Sequence, residues 1–451
     1  MGAALRRIQL GNALSAFGNG FTVPFLFIYV AQVRDLGAST AGIVLATFAV
    51  AALVVLPFTG RVIDRRGPLP VAVAGTVSAA IGSMGLGLAD SESLVIAAAA
   101  ALGAGIAVIQ PSLATMIVWC STPTTRSRAF ATQFFLNNLG LGVGGLLGGQ
   151  LVDVSDSSSF VRLFAIESVM FLVLGATIAT VRLPKVPKVE DAVPTDESAK
   201  GGWRTLLADR AMVQLCVLGF VMFFACYGQF EAGLAAFAVE VTRISPATLG
   251  VALAANTAAI VLAQFVVLKL VERRRRSRVI AVVGLIWTVA WVAAGVSGLV
   301  PGMHGVATAL LISTYALFGI GESMLAPTMA PLVADLAPAR LVGQYNSAFA
   351  LVKQMALAIG PAVGGLMAGG GMYVAYIVML VVCSLGISAL ALRMGRRLTP
   401  AQENPLRVPA SRTRSVRVQE GTVEVGAVEV AAVEITAVEV AGRRERETVS
   451  A

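Results

Sequence analysis

Twelve apolar runs, each long enough to cross a membrane as a helix, follow one another along this 451-residue chain. A hydrocarbon core of about 30 Å takes roughly 20 helical residues, and no water reaches the backbone there, so each run must satisfy its own amides by coiling. The runs fall near 8–31, 38–60, 70–89, 93–119, 128–151, 160–182, 211–239, 246–269, 279–300, 304–333, 341–368 and 372–394, and are numbered helix 1 to helix 12 in that order. Composition agrees, since 57% of residues are hydrophobic and only 13% are charged, against the roughly 25% charged of a soluble domain. An all-α membrane protein with twelve transmembrane helices is expected.

The net charge of +9 does not point to nucleic acid, because the arginines stand in short clusters between apolar runs, where they orient a membrane protein. With the turn between helices 2 and 3 in the cytoplasm, twenty Lys and Arg residues from Arg6 to Arg340 fall on that side, and only Arg34, Arg162 and Arg243 on the other. That bias predicts a multi-pass protein of the plasma (inner) membrane with both termini cytoplasmic; a monomer is expected. Arg6 and Arg7 precede a run too long for the apolar part of a signal peptide, so it is read as a retained span. Cys120, Cys216, Cys226 and Cys383 have no metal-ligand spacing and His304 stands alone, so no metal and no cofactor are expected. Nor does a convergent nucleophile set mark an enzyme.

The turn Gly60-Arg-Val-Ile-Asp-Arg-Arg-Gly67 separates two buried runs, its glycines permitting close backbone approach while Arg65 and Arg66 stay in water. A longer connection, 183–210, mixes three prolines with charges of both signs and reads as a solvated linker. It divides residues 1–182 from 211–395, six helices each. Its end, Trp203 to Arg210, is apolar on one face and charged on the other, which suits a membrane interface. Residues 396–451 form a low-complexity tail with a Val-Glu beat at Ala427, Ala432 and Ala437.

The two halves repeat. At an offset of 216, Pro111 matches Pro327 and Gly144-Gly-Leu-Leu-Gly-Gly149 matches Gly360-Pro-Ala-Val-Gly-Gly365. At an offset of 208 the turn recurs more weakly, with Glu272 in the place of Asp64 and Leu268 in that of Gly60. Small residues let helix backbones approach in lipid. Two related halves imply pseudo-symmetric bundles around a central cavity, with access switched by rocking one half on the other.

Gly60-x-x-x-Asp64-Arg65-x-Gly67 resembles the loop 2–3 signature of the major facilitator superfamily. Gly360-Pro361-x-x-Gly364-Gly365 resembles the glycine-proline motif that its antiporters carry on helix 5, here better formed on helix 11. Gly321-Glu322 with Pro327, followed by Ala337-Pro338 and Gly343-Gln-Tyr345, is similar to the twelve-helix multidrug-efflux branch of drug:proton antiporters. The likeness covers about residues 8–395. Departures are Pro68 and Leu69 where arginines are usual, Gly145 for the helix 5 proline, Ala99 for the helix 4 arginine, and Trp119 where the repeat has Asp335. The resemblance implies efflux of lipophilic or amphipathic small molecules by alternating access, driven by the proton gradient. The alternative is a proton-coupled symporter importing a metabolite or peptide.

Charges within hydrocarbon cost about 2.5–3.5 kcal/mol on insertion scales and so mark a pathway or an internal pair. Glu322 on helix 10, Glu231 on helix 7 and Lys353 on helix 11 are therefore the proton-coupling candidates, with a fixed Glu322–Lys353 pair as the competing reading. Glu167 on helix 6 is a fourth, weaker case. Asn12, Ser15, Asn19 and Thr22 share one face of helix 1. Asn19, Gln110, Tyr227 and Gln229 are the substrate-cavity candidates, and Phe21, Phe25, Phe223 and Phe224 are read as an aromatic wall or plain packing. The turn is expected to act as a cytoplasmic latch in which Asp64 and its arginines tie helix 2 to the facing half, with Glu272-Arg273-Arg274 as its partner.

Overall fold

The computed structural model describes residues 2–184, 202–230, 233–300 and 302–407. Glu231, most of the linker and the Val-Glu repeats lie outside the described residues. Helices 1 to 6 are Ala3–Thr22, Gly37–Arg66, Pro68–Leu88, Glu92–Trp119, Pro123–Leu151 and Ser157–Ala179. Helix 7 comes in pieces, Arg210–Ala225, Tyr227–Phe230 and Gly233–Glu240. Pro246–Val271, Arg276–Ser297, His304–Leu325 continued by Met329–Leu336, Val342–Gly369 and Tyr373–Gly395 are helices 8 to 12.

Local chemistry sets the helix starts. The Asp156 carboxylate accepts from the Ser158 amide at 2.9 Å and that of Asp209 from the Ala211 amide at 2.9 Å, each filling an orphan donor at a helix N-terminus. Gly67, at φ 85, holds the left-handed turn that lets helix 2 pass directly into Pro68 of helix 3. Among the described residues eleven helices are long and apolar enough to cross a membrane. Helix 5 is the exception by hydropathy alone: Gln133, Asn137, Asn138 and its glycines dilute the apolar run, although its 29 residues reach as far as its neighbours.

Each half has its own core. Tyr29, Phe160, Phe164 and Phe171 anchor one in helices 1–6, and Trp287, Trp291, Tyr315, Phe318 and Tyr376 anchor the other in helices 7–12. Outward-facing apolar side chains such as Leu262, Leu366 and Val374 are more than 70% exposed, which lipid rather than water explains. The sequence repeat has a physical counterpart. A Cβ on Gly144 of helix 5 would fall 3.1 Å from Gly20 Cα of helix 1, and one on Gly360 of helix 11 would fall 2.6 Å from Gly228 Cα of helix 7. Gly360→Val is accordingly expected to force helices 7 and 11 apart and lower the yield of monodisperse protein several-fold. Size-exclusion profiles in detergent check this, and an unchanged yield would show that the contact yields without cost.

The first helix of each half is interrupted at its middle or beyond. Helix 1 loses regular geometry after Thr22, passing through a 3-10 turn at Val23–Phe25 that contains Pro24, and a π turn at Tyr29–Val33. Helix 7 breaks at Cys226, whose φ and ψ are −117° and −83°. Backbone groups freed inside a membrane need protein partners. Gln229 supplies one at the second break, its Nε2 donating to the carbonyls of Phe224 at 3.1 Å and Gly360 at 3.3 Å.

Candidate functional site

The arginine-rich turns share one end of the bundle, the basic end, and the halves are joined there. Helix 2 approaches the start of helix 11 so closely that a Cβ on Gly60 would lie 2.6 Å from Gln344 Cα. Beside it the Asp64 carboxylate accepts from the amides of Gly343 at 2.7 Å and Gln344 at 3.0 Å. These are unpaired donors of a helix N-terminus, where a negative charge is favoured by about 0.3–2 kcal/mol. Asp64 thus does tie helix 2 to the facing half, but its partner is the start of helix 11 and not the Glu272-Arg273-Arg274 segment. The Glu272 carbonyl instead accepts from Asn404 Nδ2 at 3.0 Å. Arg65 is exposed and forms no ion pair among the described residues.

A second tie is ionic. Asp335, at the end of helix 10, receives Arg126 of helix 5 on one oxygen and Arg276 of helix 9 on the other, the latter at 2.6 Å. All three side chains are at most 10% exposed. Arg276 also donates to the Gln402 carbonyl at 3.0 Å, and Glu403 receives Ser277 Oγ at 2.5 Å, so the segment after helix 12 packs against the same end. Deeper in, Asn346 Nδ2 donates to Thr115 Oγ1 at 3.3 Å, and the rings of Phe135 and Phe265 lie 5.1 Å apart. Trp203, on the short helix Trp203–Ala208, donates to the Pro57 carbonyl at 3.3 Å. Among the described residues no hydrogen bond, ion pair or ring contact joins the halves in the opposite half of the bundle. The polar and ionic ties between the halves thus gather towards the basic end.

Asp64→Asn should therefore loosen the closed basic end without touching a ligand. Asparagine carries no charge and its amide NH2 has nothing to donate to beside two N–H groups, so about 1–2 kcal/mol is lost from this conformation. Turnover of a transported dye should fall several-fold with its apparent affinity unchanged. Equal loss in both would show that Asp64 also shapes the binding site.

Glu322 is 4% exposed, on helix 10 behind the break in helix 7. Asn256 of helix 8 donates to its Oε1 at 3.0 Å and to the Tyr315 carbonyl at 3.2 Å, so one amide fixes the carboxylate and spans two helices. Tyr227 directs its hydroxyl at the same carboxylate, and Lys353 lies within electrostatic range. The competing reading, a fixed pair, is not met, for Glu322 and Lys353 form no ion pair. Lys353 is exposed between the halves, its Nζ 5.5 Å from the centre of the Phe223 ring and 6.0 Å from that of Tyr227. Aromatic faces attract a cation by about 0.5–2 kcal/mol at such range. Phe223 and Tyr227 thus hold the lysine near the acid without neutralising it.

The other candidates separate. Gln110 is exposed three residues beyond Ala107, which packs on Leu351 across the interface, so it lies on the face turned to the other half. Asn19 is half-buried with Oδ1 unpaired. Gln229 does not line the space between the halves: it is fully buried, clamping helix 7 to Gly360 beside Pro361. A Cβ on Gly364 would fall 3.0 Å from Gly233 Cα, whereas one on Gly365 would meet open space, so only one glycine of that pair sits where a side chain would be crowded. Asn12 donates to Asn137 of helix 5 at 3.1 Å, so part of the polar face of helix 1 serves packing. Phe21 is buried, consistent with packing, and Phe223 stands at the lysine. Asn256 and the Arg126–Asp335–Arg276 bridge escape sequence reasoning. The one available signal is Asp335 itself, a charge present in only one of two repeat-related positions.

Two helical halves tied together at the basic end, one of them holding a buried acid among its own helices, define a polytopic membrane transporter and not an enzyme. The sequence profile of the Major Facilitator Superfamily matches residues 8–243 and 232–425, and the chain belongs to that superfamily. It is 28% identical over 150 residues to Multidrug resistance protein 2 of Bacillus subtilis (32% of this chain, 36% of the relative). It is 22% identical over 223 residues to the quinolone resistance protein NorA of Staphylococcus aureus (48% and 55%), so it spans less than two thirds of either relative. The uncharacterized transporter YdeE of Escherichia coli aligns over 81% of this chain and 90% of its own length at 24% identity. Among solved structures, a bacterial homologue of the iron transporter ferroportin in an outward-facing state superposes with a TM-score of 0.70 at 15% identity, covering 88% of this chain and 100% of that one. The E. coli fucose:proton symporter FucP gives 0.67 at 13%, covering 86% and 98%. At such identities these structures speak for the fold alone.

Proposed function

We propose that the protein is a proton-coupled exporter of lipophilic or amphipathic small molecules that works by alternating access in the plasma membrane. In this reading its basic end faces the cytoplasm, which the lysine and arginine bias supports, and both termini lie on that side. The conformation described is then the one open to the outside. The observation that carries the reading is the placement of Glu322: shielded from water, held by neutral donors and set beside the break in helix 7, it can exchange a proton as that helix moves. Lys353 and the aromatic faces of Phe223 and Tyr227 line the place where an amphipathic ligand would meet it. The names of the relatives, multidrug and quinolone resistance proteins, support export over import.

Everted vesicles loaded with acid test this. Ethidium should accumulate inside as protons leave, and an uncoupler should abolish the accumulation. Accumulation only when protons enter with the solute would replace the exporter by a symporter importing a metabolite or peptide.

A further inference from the structure

A second acid is buried where the proposed function makes no use of it. Glu167, on helix 6, is 1% exposed, in a wedge between helices 1, 3 and 6. Its Oε2 lies 2.6 Å from Ser83 Oγ of helix 3, and the same hydroxyl lies 3.0 Å from the Phe164 carbonyl. Oε1 has no hydrogen-bond partner. The groups that face the carboxyl are all neutral: Ser83 from helix 3, Thr22 from helix 1 and the Phe164 carbonyl of its own helix. The cations towards this end of the half are committed elsewhere. Arg34 donates to the Tyr29 hydroxyl at 2.7 Å and the Gly87 carbonyl at 2.6 Å, and Arg162 pairs with Asp156 at 3.5 Å. Among the described residues Glu167 forms no ion pair.

Hydrogen counting decides the state of this group. The Ser83 hydroxyl has one hydrogen and two candidate acceptors. If Glu167 is ionised, its charge sits in hydrocarbon without a counter-ion and with one oxygen unserved, at a cost of several kcal/mol. If it is protonated, its hydroxyl donates to Ser83 Oγ at a separation suited to an O–H···O bond, and the Ser83 hydrogen is left for the Phe164 carbonyl. Every hydrogen then has a place.

The location carries the step from a buried acid to a working one. Glu167 lies beside Thr22, the residue after which helix 1 loses its regular geometry, just as Glu322 lies behind the break in helix 7. The two acids are not repeat-related, one being on the sixth helix of its half and the other on the fourth, yet each abuts the interrupted first helix of its half. We propose that Glu167 is a second proton-binding site of this transporter, exchanging its proton with water between the halves when the segment of helix 1 beyond Thr22 moves. On unloading, the proton passes to water and the Ser83 hydroxyl turns from the Phe164 carbonyl to the carboxylate; reloading reverses both. The role in transport rests on the proton-coupled reading above, but the proton itself can be observed without transport.

The test is infrared difference spectroscopy on the purified full-length protein in detergent, titrated from mildly acidic to mildly alkaline in sodium-free buffer. Glu322→Gln protein should still lose one protonated-carboxyl band, and that band should be missing from Glu167→Gln, which is isosteric with the neutral acid. Ser83→Ala should keep the band at a shifted frequency, since the acceptor of the carboxyl hydrogen is gone; a purely structural acid would leave no titrating band to shift. In proteoliposomes, Glu167→Gln should halve the protons exchanged per ethidium. A Glu322→Gln spectrum without a titrating carboxyl, or a loss of the band that requires sodium, overturns the proposal. A titrating Glu167 in protein that moves no ethidium would instead remove the exporter reading and leave the site standing.

Discussion

Replacing Glu322 by glutamine is expected to reduce gradient-driven ethidium efflux to the level measured with an uncoupler, while exchange of the dye across proteoliposome membranes persists. Glutamine keeps the volume and can still accept from Asn256, so the tie between helices 8 and 10 survives and the protein should fold. What it cannot do is gain or lose a proton. In the wild type the acid is reached by an amide, a phenol and the field of Lys353, with no cation at ion-pair distance. Its charge is therefore only partly compensated in a site where uncompensated charge is costly. That imbalance is what lets a shift of helix 7, or an arriving ligand, decide whether the proton stays. Lys353→Met separates this role from ligand binding: it removes the field but leaves the exchangeable group, so coupling should persist with an altered pH profile. Normal pumping by Glu322→Gln would make the acid a packing group and leave coupling to residues elsewhere.

The architecture was legible because membrane folding leaves few options. Runs of about 20 apolar residues must become helices, and the repeat of glycines and prolines at one offset announces two halves. Gly144 and Gly360 then prove to be contacts that no side chain would fit. Motif reading singled out Asp64 and Glu322, but the groups that hold them were not among the partners it weighed. The turn holding Asp64 was paired with Glu272-Arg273-Arg274 by repeat position, although the donors Asp64 meets are backbone amides, which a string of side-chain letters does not display. For Glu322 opposite charge suggested Lys353 as the competing, fixed partner, although Asn256, a residue with no charge to attract attention, holds it. Gln229 illustrates the reverse error. A polar residue in an apolar run reads as cavity lining, but a broken helix creates unpaired carbonyls, and satisfying them is an equally strong demand. Sequence reveals the polar group and leaves open which of the two demands it meets.

The ionic bridge at the basic end carries the other large expectation. Asp335→Ala should open that end, read as faster modification of a single cysteine placed at Ser347 on helix 11, a buried position whose neighbour Asn346 bonds across to helix 4. Asp335 serves two arginines at once, and all three groups are withdrawn from water. Removing the shared anion leaves two buried guanidinium groups facing each other, with only Glu403, already bonded to Ser277, in electrostatic range of Arg276. Breaking a buried pair from one side costs about 3–5 kcal/mol, and the whole loss falls on the conformation in which the halves are closed here. A shift of that size changes the ratio of open to closed forms by about 100-fold or more. Arg126→Ala discriminates within the network. Arg126 is the only member from the N-terminal half, so its loss cuts the tie between halves while Arg276 keeps Asp335 satisfied inside the C-terminal one. Opening by both variants identifies the bridge as a gate between halves. Opening by Asp335→Ala alone would mean that the aspartate acts by holding helices 9 and 10 together, leaving Asp64 and the start of helix 11 to close the basic end unaided.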